Sequence, residues 1–201
     1  MKLLYLLSET LTAIFWTLLM FGFDTPKVAA LTLVAALIHE LGHIIALKIL
    51  GKGARPLPRA RISGLRISVH SLSYKDELIL AAAGPLMNFL AALLPLPLAC
   101  FELSRLFISL NVMTALSNLL PAPGYDGLRI LECLFLIFGK NYVRAERVLF
   151  AISIITVSLL CLFSLYFILK VGEGYWIFAV FFTLLVSELA KRQNSTFCEK
   201  K

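Results

Sequence analysis

The five residues His39-Glu40-Leu41-Gly42-His43 bring together the side chains with which a protein can hold a metal ion and activate water. On a helix, residues four apart share one face, with Cβ atoms about 5–6 Å apart. Both imidazoles can then reach a single tetrahedral zinc. Glu40 projects beside them, where a carboxylate can take the proton of a water activated at the metal. The plainer reading makes these groups hydrogen-bonding partners for neighbouring helices. Two of the chain's three histidines fall in this motif, however, and ionisable groups inside an apolar stretch are costly enough to mark function.

A catalytic zinc takes three protein ligands and keeps one position open, and the motif supplies two. Asp126, His70 and Glu77 are candidates for the third, along with carboxylates inside other apolar stretches. Asp126 ends the run Asn118-Leu119-Leu120-Pro121-Ala122-Pro123-Gly124-Tyr125-Asp126, whose two prolines must interrupt any helix. Irregular backbone at membrane depth is tolerated where it lines a cavity or is buried in protein, which favours a ligand there. Asp126 would also serve as the N-cap of a helix beginning at Gly127.

The elements that must position these groups are transmembrane. Of 201 residues, 60% are hydrophobic and 15% charged, with mean hydropathy +0.88; soluble domains carry about 25% charged residues. Apolar stretches near 3–23, 28–50, 78–101, 106–120 (extending toward 139), 148–169 and 175–190 approach the length of about 20 residues that a bilayer core requires. The first has Lys2 before it and no small-residue cleavage site after it, which predicts an uncleaved span. The fold class expected is an all-α polytopic membrane protein of about six helices.

Six crossings put both termini on one side. All 19 Lys and Arg residues except Lys27, Arg105 and Lys170 then fall on that side, which the positive-inside rule makes cytoplasmic. The net charge of +7 and pI near 9.4 thus reflect topology and contact with lipid headgroups, with no need of nucleic acid as a partner. His43 lies seven residues before Leu50, about 10 Å below the cytoplasmic surface at 1.5 Å per residue. A polar cavity can bring water to that depth.

Between the second and third spans, Ile62 to Tyr74 alternates Leu65, Ile67 and Val69 with Arg66, Ser68 and His70, predicting a strand or small hairpin. Such an edge could capture an unwound peptide by β-addition, or simply anchor the loop at the membrane surface. His70 reads as a surface residue of it. Residues 1–192 read as a single transmembrane domain with a core at about 28–140, followed by a short cytoplasmic tail, 193–201. Cysteines 100, 133, 161 and 198 have no paired spacing and predict no disulfide framework. Glu9 and Glu188 read as interfacial or packing groups. Asn88 and Asn118 either bond neighbouring helices, as transmembrane amides do, or hold substrate and the oxyanion formed during attack.

Three motifs in order, HExxH in the second span, Gly84-Pro85-Leu86-Met87-Asn88 in the third, and N-x-x-P-x-P-x-x-D-G at 118–127, resemble the site-2 protease family of intramembrane zinc metalloproteases. The resemblance covers about residues 28–140. It implies one zinc per chain held by His39, His43 and Asp126, with Glu40 catalytic and with Asn88 and Asn118 at the substrate. The short form, without PDZ or CBS domain, looks closest to the sporulation-protease branch. That implies a multi-pass protein of a bacterial cytoplasmic membrane performing regulated intramembrane proteolysis. Its substrate would be a membrane-anchored or membrane-associated regulator such as a pro-sigma or anti-sigma factor, with a regulatory membrane partner possible. Leu128 stands where many members have a second glycine. Two other classes are open to a chain of this kind. A metal transporter would need relay groups between His39 and Lys27, where the sequence offers none, and an inactive adaptor would have no need of the full ligand set and Glu40.

Overall fold

The computed structural model describes residues 26–51, 73–98, 100–139, 142–172 and 175–198. The expected first span, 3–23, and the alternating segment 62–72 with His70 lie outside the described residues. Among those described, the secondary structure is helical: α1 (Pro26–Ile49), α2 (Tyr74–Leu93), a 3-10 turn (Leu96–Leu98), α3 (Glu102–Asn118), α4 (Asp126–Gly139), α5 (Tyr142–Val171) and α6 (Tyr175–Cys198). No strand occurs among the described residues. Ser73 and Tyr74, the last residues of the expected strand region, begin a helix instead. Ser73 is the N-cap of α2, its Oγ accepting from Asp76 N at 3.2 Å, and Asp76 and Glu77 fill the first turn. Cap and acidic residues together satisfy and complement the positive helix end.

Three helices, α1, α2 and α5, are long and apolar enough to cross a membrane, and the chain is an integral membrane protein. Each exposes large apolar side chains such as Leu37, Leu41, Leu86, Leu90, Leu159 and Phe163, which suits contact with lipid. The expected fourth span is divided: α3 has 17 residues and α4 has 14, or roughly 26 and 21 Å of helix. Helix α6 is apolar over Ile177–Leu189 and continues through Cys198, so the segment expected as a tail from Gln193 begins in helix.

Helix α2 is the centre of the arrangement, packing on α1, α3 and α4; α1 also meets α3, α4 meets α5, and α5 meets α6. The α1–α2 contact is made by small residues. Gly42 and Gly84 are buried, and Gly42 faces the backbone of Ala83. Small residues let transmembrane backbones approach closely, which compensates for the weak hydrophobic drive between helices in lipid.

Between α3 and α4 the chain breaks as the two prolines require. Leu119 N and Leu120 N still bond back into α3, to Ala115 O and Ser117 O at 3.1 Å each, whereas Pro121 and Pro123 have no N–H to offer. The break is covered by protein: Ala122 is fully buried with Val157 and Cys161, and Tyr125 packs with Phe178, Phe181, Leu184 and Leu185 around them. A second cluster, Leu128, Leu136, Ala145 and Leu149, seats α4 on α5. Residues of α5 and α6 therefore cover the irregular segment, while α4, which begins with Asp126, packs on α2.

Candidate metal centre

His39, His43 and Asp126 converge from two helices, α1 and α4, with Asp126 87 residues after His39 in sequence. Asp126 Oδ2 lies 3.0 Å from His39 Nε2 and 3.2 Å from His43 Nε2, and the two Nε2 atoms are 3.2 Å apart. The rings stand edge to face, with centroids 4.8 Å apart. His39 and Asp126 are buried and His43 partly so. Among the described residues, this is the group of side chains able to hold a metal ion.

The hydrogen bonds around the three residues determine where the histidine protons sit. His43 Nδ1 lies 2.8 Å from Leu80 O, a carbonyl that can only accept, so Nδ1 carries the proton. His39 Nδ1 lies 3.0 Å from Asn88 Oδ1. Asn88 Nδ2 donates to Ala35 O at 2.9 Å and to Asn111 Oδ1 at 3.0 Å, which fixes its amide so that the oxygen faces His39. His39 Nδ1 is thus a donor as well. Both Nε2 atoms then present lone pairs toward each other and toward a carboxylate oxygen.

Three lone pairs at mutual distances of 3.0–3.2 Å repel unless a cation stands among them. One shared proton can relieve a single pair; a divalent ion relieves all three. Ligand bonds of about 2.0–2.1 Å in a tetrahedron separate neighbouring donors by roughly 3.3 Å, close to the spacing found here. The donor set, two neutral imidazoles and a carboxylate, is that of a zinc site with one position left open. The backbone and amide acceptors behind each imidazole are the usual outer support of such ligands.

Two glycines make room for this arrangement. A methyl group on Gly84 would stand 2.6 Å from His43 Nε2 and 2.7 Å from His39 Cε1, so the bare backbone of α2 forms one wall of the site. A methyl group on Gly127 would collide with Leu119 O and Leu120 O, so the start of α4 lies directly on the break that precedes it. This seating places Asp126 in the first turn of its helix while its carboxylate reaches the histidines.

The other residues singled out in the sequence fall in different places. Glu40 is exposed on the flank of α1, beside an open surface that, among the described residues, Val34, Leu37, Ile38, Leu41 and Ile44 of the same helix share. Asn118 ends α3 half-buried, its amide donating to Thr114 O at 2.9 Å. Asn88 bonds neighbouring helices, one of the two roles expected of it. It is 0% exposed, and its amide is committed on both sides to His39, Ala35 and Asn111, which places it behind one of the two imidazoles that could hold a metal. Glu77 is paired with Arg129 at 3.7 Å and stands apart from the three converging groups. His70 lies outside the described residues. Sequence reasoning passed over Asn111, which is also 0% exposed; its only signal was an amide in the middle of an apolar helix.

No protein-family model matches the chain, and no curated protein matches it in sequence. Among solved structures it is similar to a site-2 protease from Methanocaldococcus jannaschii, with a TM-score of 0.58 and 20% identity. The match covers 92% of this chain and 85% of the other. The likeness is one of fold.

Proposed function

We propose that this chain is an intramembrane zinc endopeptidase of the site-2 type, hydrolysing a peptide bond in or near a membrane-embedded segment. The observation that carries the reading is the convergence of three potential ligand atoms, His39 Nε2, His43 Nε2 and Asp126 Oδ2, at 3.0–3.2 Å inside a membrane protein. The fold shared with a solved site-2 protease supports it independently of those distances.

His39, His43 and Asp126 would hold the zinc, which when bound supplies a Lewis acid that polarises a carbonyl and lowers the pKa of water. Glu40 follows His39 directly and lies on the more open flank of α1. There it can accept a proton from the attacking water and return it to the leaving amine. Asn118, half-buried at the end of α3, is the amide assigned to the substrate backbone or the oxyanion. Asn88 holds the His39 ring through Nδ1 and thereby fixes the face that its Nε2 presents.

The substrate class follows from the setting. A transmembrane helix hides its carbonyls in its own hydrogen bonds, so the cut segment must unwind before attack. The three motifs seen in the sequence further support a membrane-anchored or membrane-associated regulatory substrate, such as a pro-sigma or anti-sigma factor, cut near its cytoplasmic side. The residues 1–192 would then form one proteolytic domain with cytoplasmic termini.

Two measurements test this. Zinc content of the detergent-purified chain should be about one per chain, and a membrane-embedded reporter segment should be cleaved by the wild type but not by Glu40→Gln. Well-folded protein without zinc overturns the proposal. A reporter left uncut by the wild type, with partner binding unchanged in Glu40→Gln, would make the chain a membrane adaptor, whereas cleavage unchanged in Glu40→Gln would take Glu40 out of the catalytic step.

A further inference from the structure

The polar groups of α3 continue the metal centre into a third helix. Asn111 Nδ2 donates to Phe107 O at 3.0 Å, and its Oδ1 accepts from Asn88 Nδ2 at 3.0 Å. Asn88 Nδ2 also donates to Ala35 O, and Asn88 Oδ1 accepts from His39 Nδ1. The two backbone carbonyls, Phe107 O and Ala35 O, can only accept. Each amide is therefore fixed in one sense: reversing Asn111 would point its oxygen at Phe107 O, and reversing Asn88 would set its oxygen against two acceptors. Proton positions then run without ambiguity from α3 through α2 to α1.

We infer that Asn111 is a positioning residue of the metal centre: by accepting from Asn88 it locks that amide, and thereby holds His39 with its proton on Nδ1 and its lone pair toward the metal. This rests on the proposed metal-binding reading and extends it to a residue that touches neither metal nor substrate. With the acceptor gone, one Asn88 N–H would be left buried and unpaired. Such a group seeks another partner, because a buried orphan donor is costly, and the amide would no longer be held on both sides. Outer-shell partners of zinc ligands typically govern affinity by about 10–100-fold.

The test is zinc affinity of the purified full chain, by competition with a chromophoric chelator, supported by the visible spectrum of the cobalt-substituted protein. Asn111→Leu keeps similar bulk without a polar atom. Asn111→Thr can still bond its own i−4 carbonyl, as helical threonines do, yet is too short to reach Asn88. Both should weaken zinc binding about tenfold or more and shift the cobalt spectrum. Asn111→Asp, whose protonated carboxyl can donate to Phe107 O and accept from Asn88, should restore binding to near the wild-type value. Adding Asn111→Leu to Asn88→Leu should weaken binding no further, since the effect passes through Asn88.

Wild-type affinity in Asn111→Thr or Asn111→Leu overturns the inference, as does an additive loss in the double variant. If Asn111→Leu does not fold, Asn111→Thr against Asn111→Asp decides alone. A wild-type chain that binds zinc while the variants bind it equally well sinks only this inference. A wild-type chain that binds no zinc removes the metal-centre reading and this one together.

Discussion

Gly84 and His43 are so close that a single methyl group on the glycine would stand 2.6 Å from the imidazole Nε2. The second histidine is thus held between the backbone of α2 on one face and the Leu80 carbonyl that accepts its Nδ1 proton at 2.8 Å. Both restraints come from one helix, four residues apart. The α1–α2 packing and the candidate metal centre are consequently one structure.

Gly84→Ala tests that statement. The added carbon must push α2 away from α1 or displace both imidazoles, and overpacking of this kind costs about 1–3 kcal/mol. The variant is expected to unfold at lower temperature and to lose most of the stabilisation that added zinc gives the wild type. Gly42→Ala, which meets the backbone of Ala83 on the same interface, should lower the unfolding temperature while keeping more of the response to zinc. Thermal unfolding with and without zinc reads both.

Asp126→Ala removes the donor contributed by α4. Zinc content measured by atomic absorption should fall from about one per chain in the wild type to well below it, since two ligands hold zinc poorly. Glu77→Gln should leave it unchanged, because Glu77 is paired with Arg129 away from the histidines. Zinc retained by Asp126→Ala would move the third ligand elsewhere, with His70 the next to test.

Glu40→Gln separates binding from catalysis. It is expected to keep zinc and lower the cleavage rate by about 10²–10⁴-fold, the usual contribution of a positioned general base. Quantified cleavage of a membrane-embedded reporter in proteoliposomes provides the measurement. Loss of zinc alongside activity would mean that Glu40 acts on the site's structure instead.

Arg129→Ala serves as the contrasting surface change. Its partner Glu77 is 3.7 Å away, and both side chains are more than a third exposed. Ion pairs of that kind contribute about 0–1 kcal/mol. The unfolding temperature and the zinc content should both stay close to those of the wild type.

How far the site can be read from sequence follows from how far each feature is local. The spacing of His39 and His43 is a property of one helix, since a 3.6-residue period puts i and i+4 on one face. The apolar stretches at 28–50, 78–101 and 148–169 announced spans for the same kind of reason; α1 and α5 occupy the first and last, and α2 (Tyr74–Leu93) begins before the second and ends eight residues short of it. Pro121 and Pro123 declared the break, because a residue without an N–H cannot continue a helical ladder. What the break is for was not local. Asp126 opens α4 in a position equally suited to a cap, and its carboxylate meets the histidines only through tertiary packing: Ala122 and Tyr125 against α5 and α6, Gly127 on the Leu119 and Leu120 carbonyls, and α4 on α2.

The amides show the same boundary from the other side. Asn88 and Asn111 are each a polar residue in an apolar helix, and a side-chain amide can donate or accept in either direction. The direction is decided by which carbonyls face it, Ala35 O on α1 and Phe107 O within α3, and that depends on helix register and crossing. The residue types and their periods within single helices therefore determined the histidine motif and the membrane setting. Only tertiary structure decided which carboxylate completes the donor set and which amides stand behind it, because those are relations between helices that the chain order leaves free.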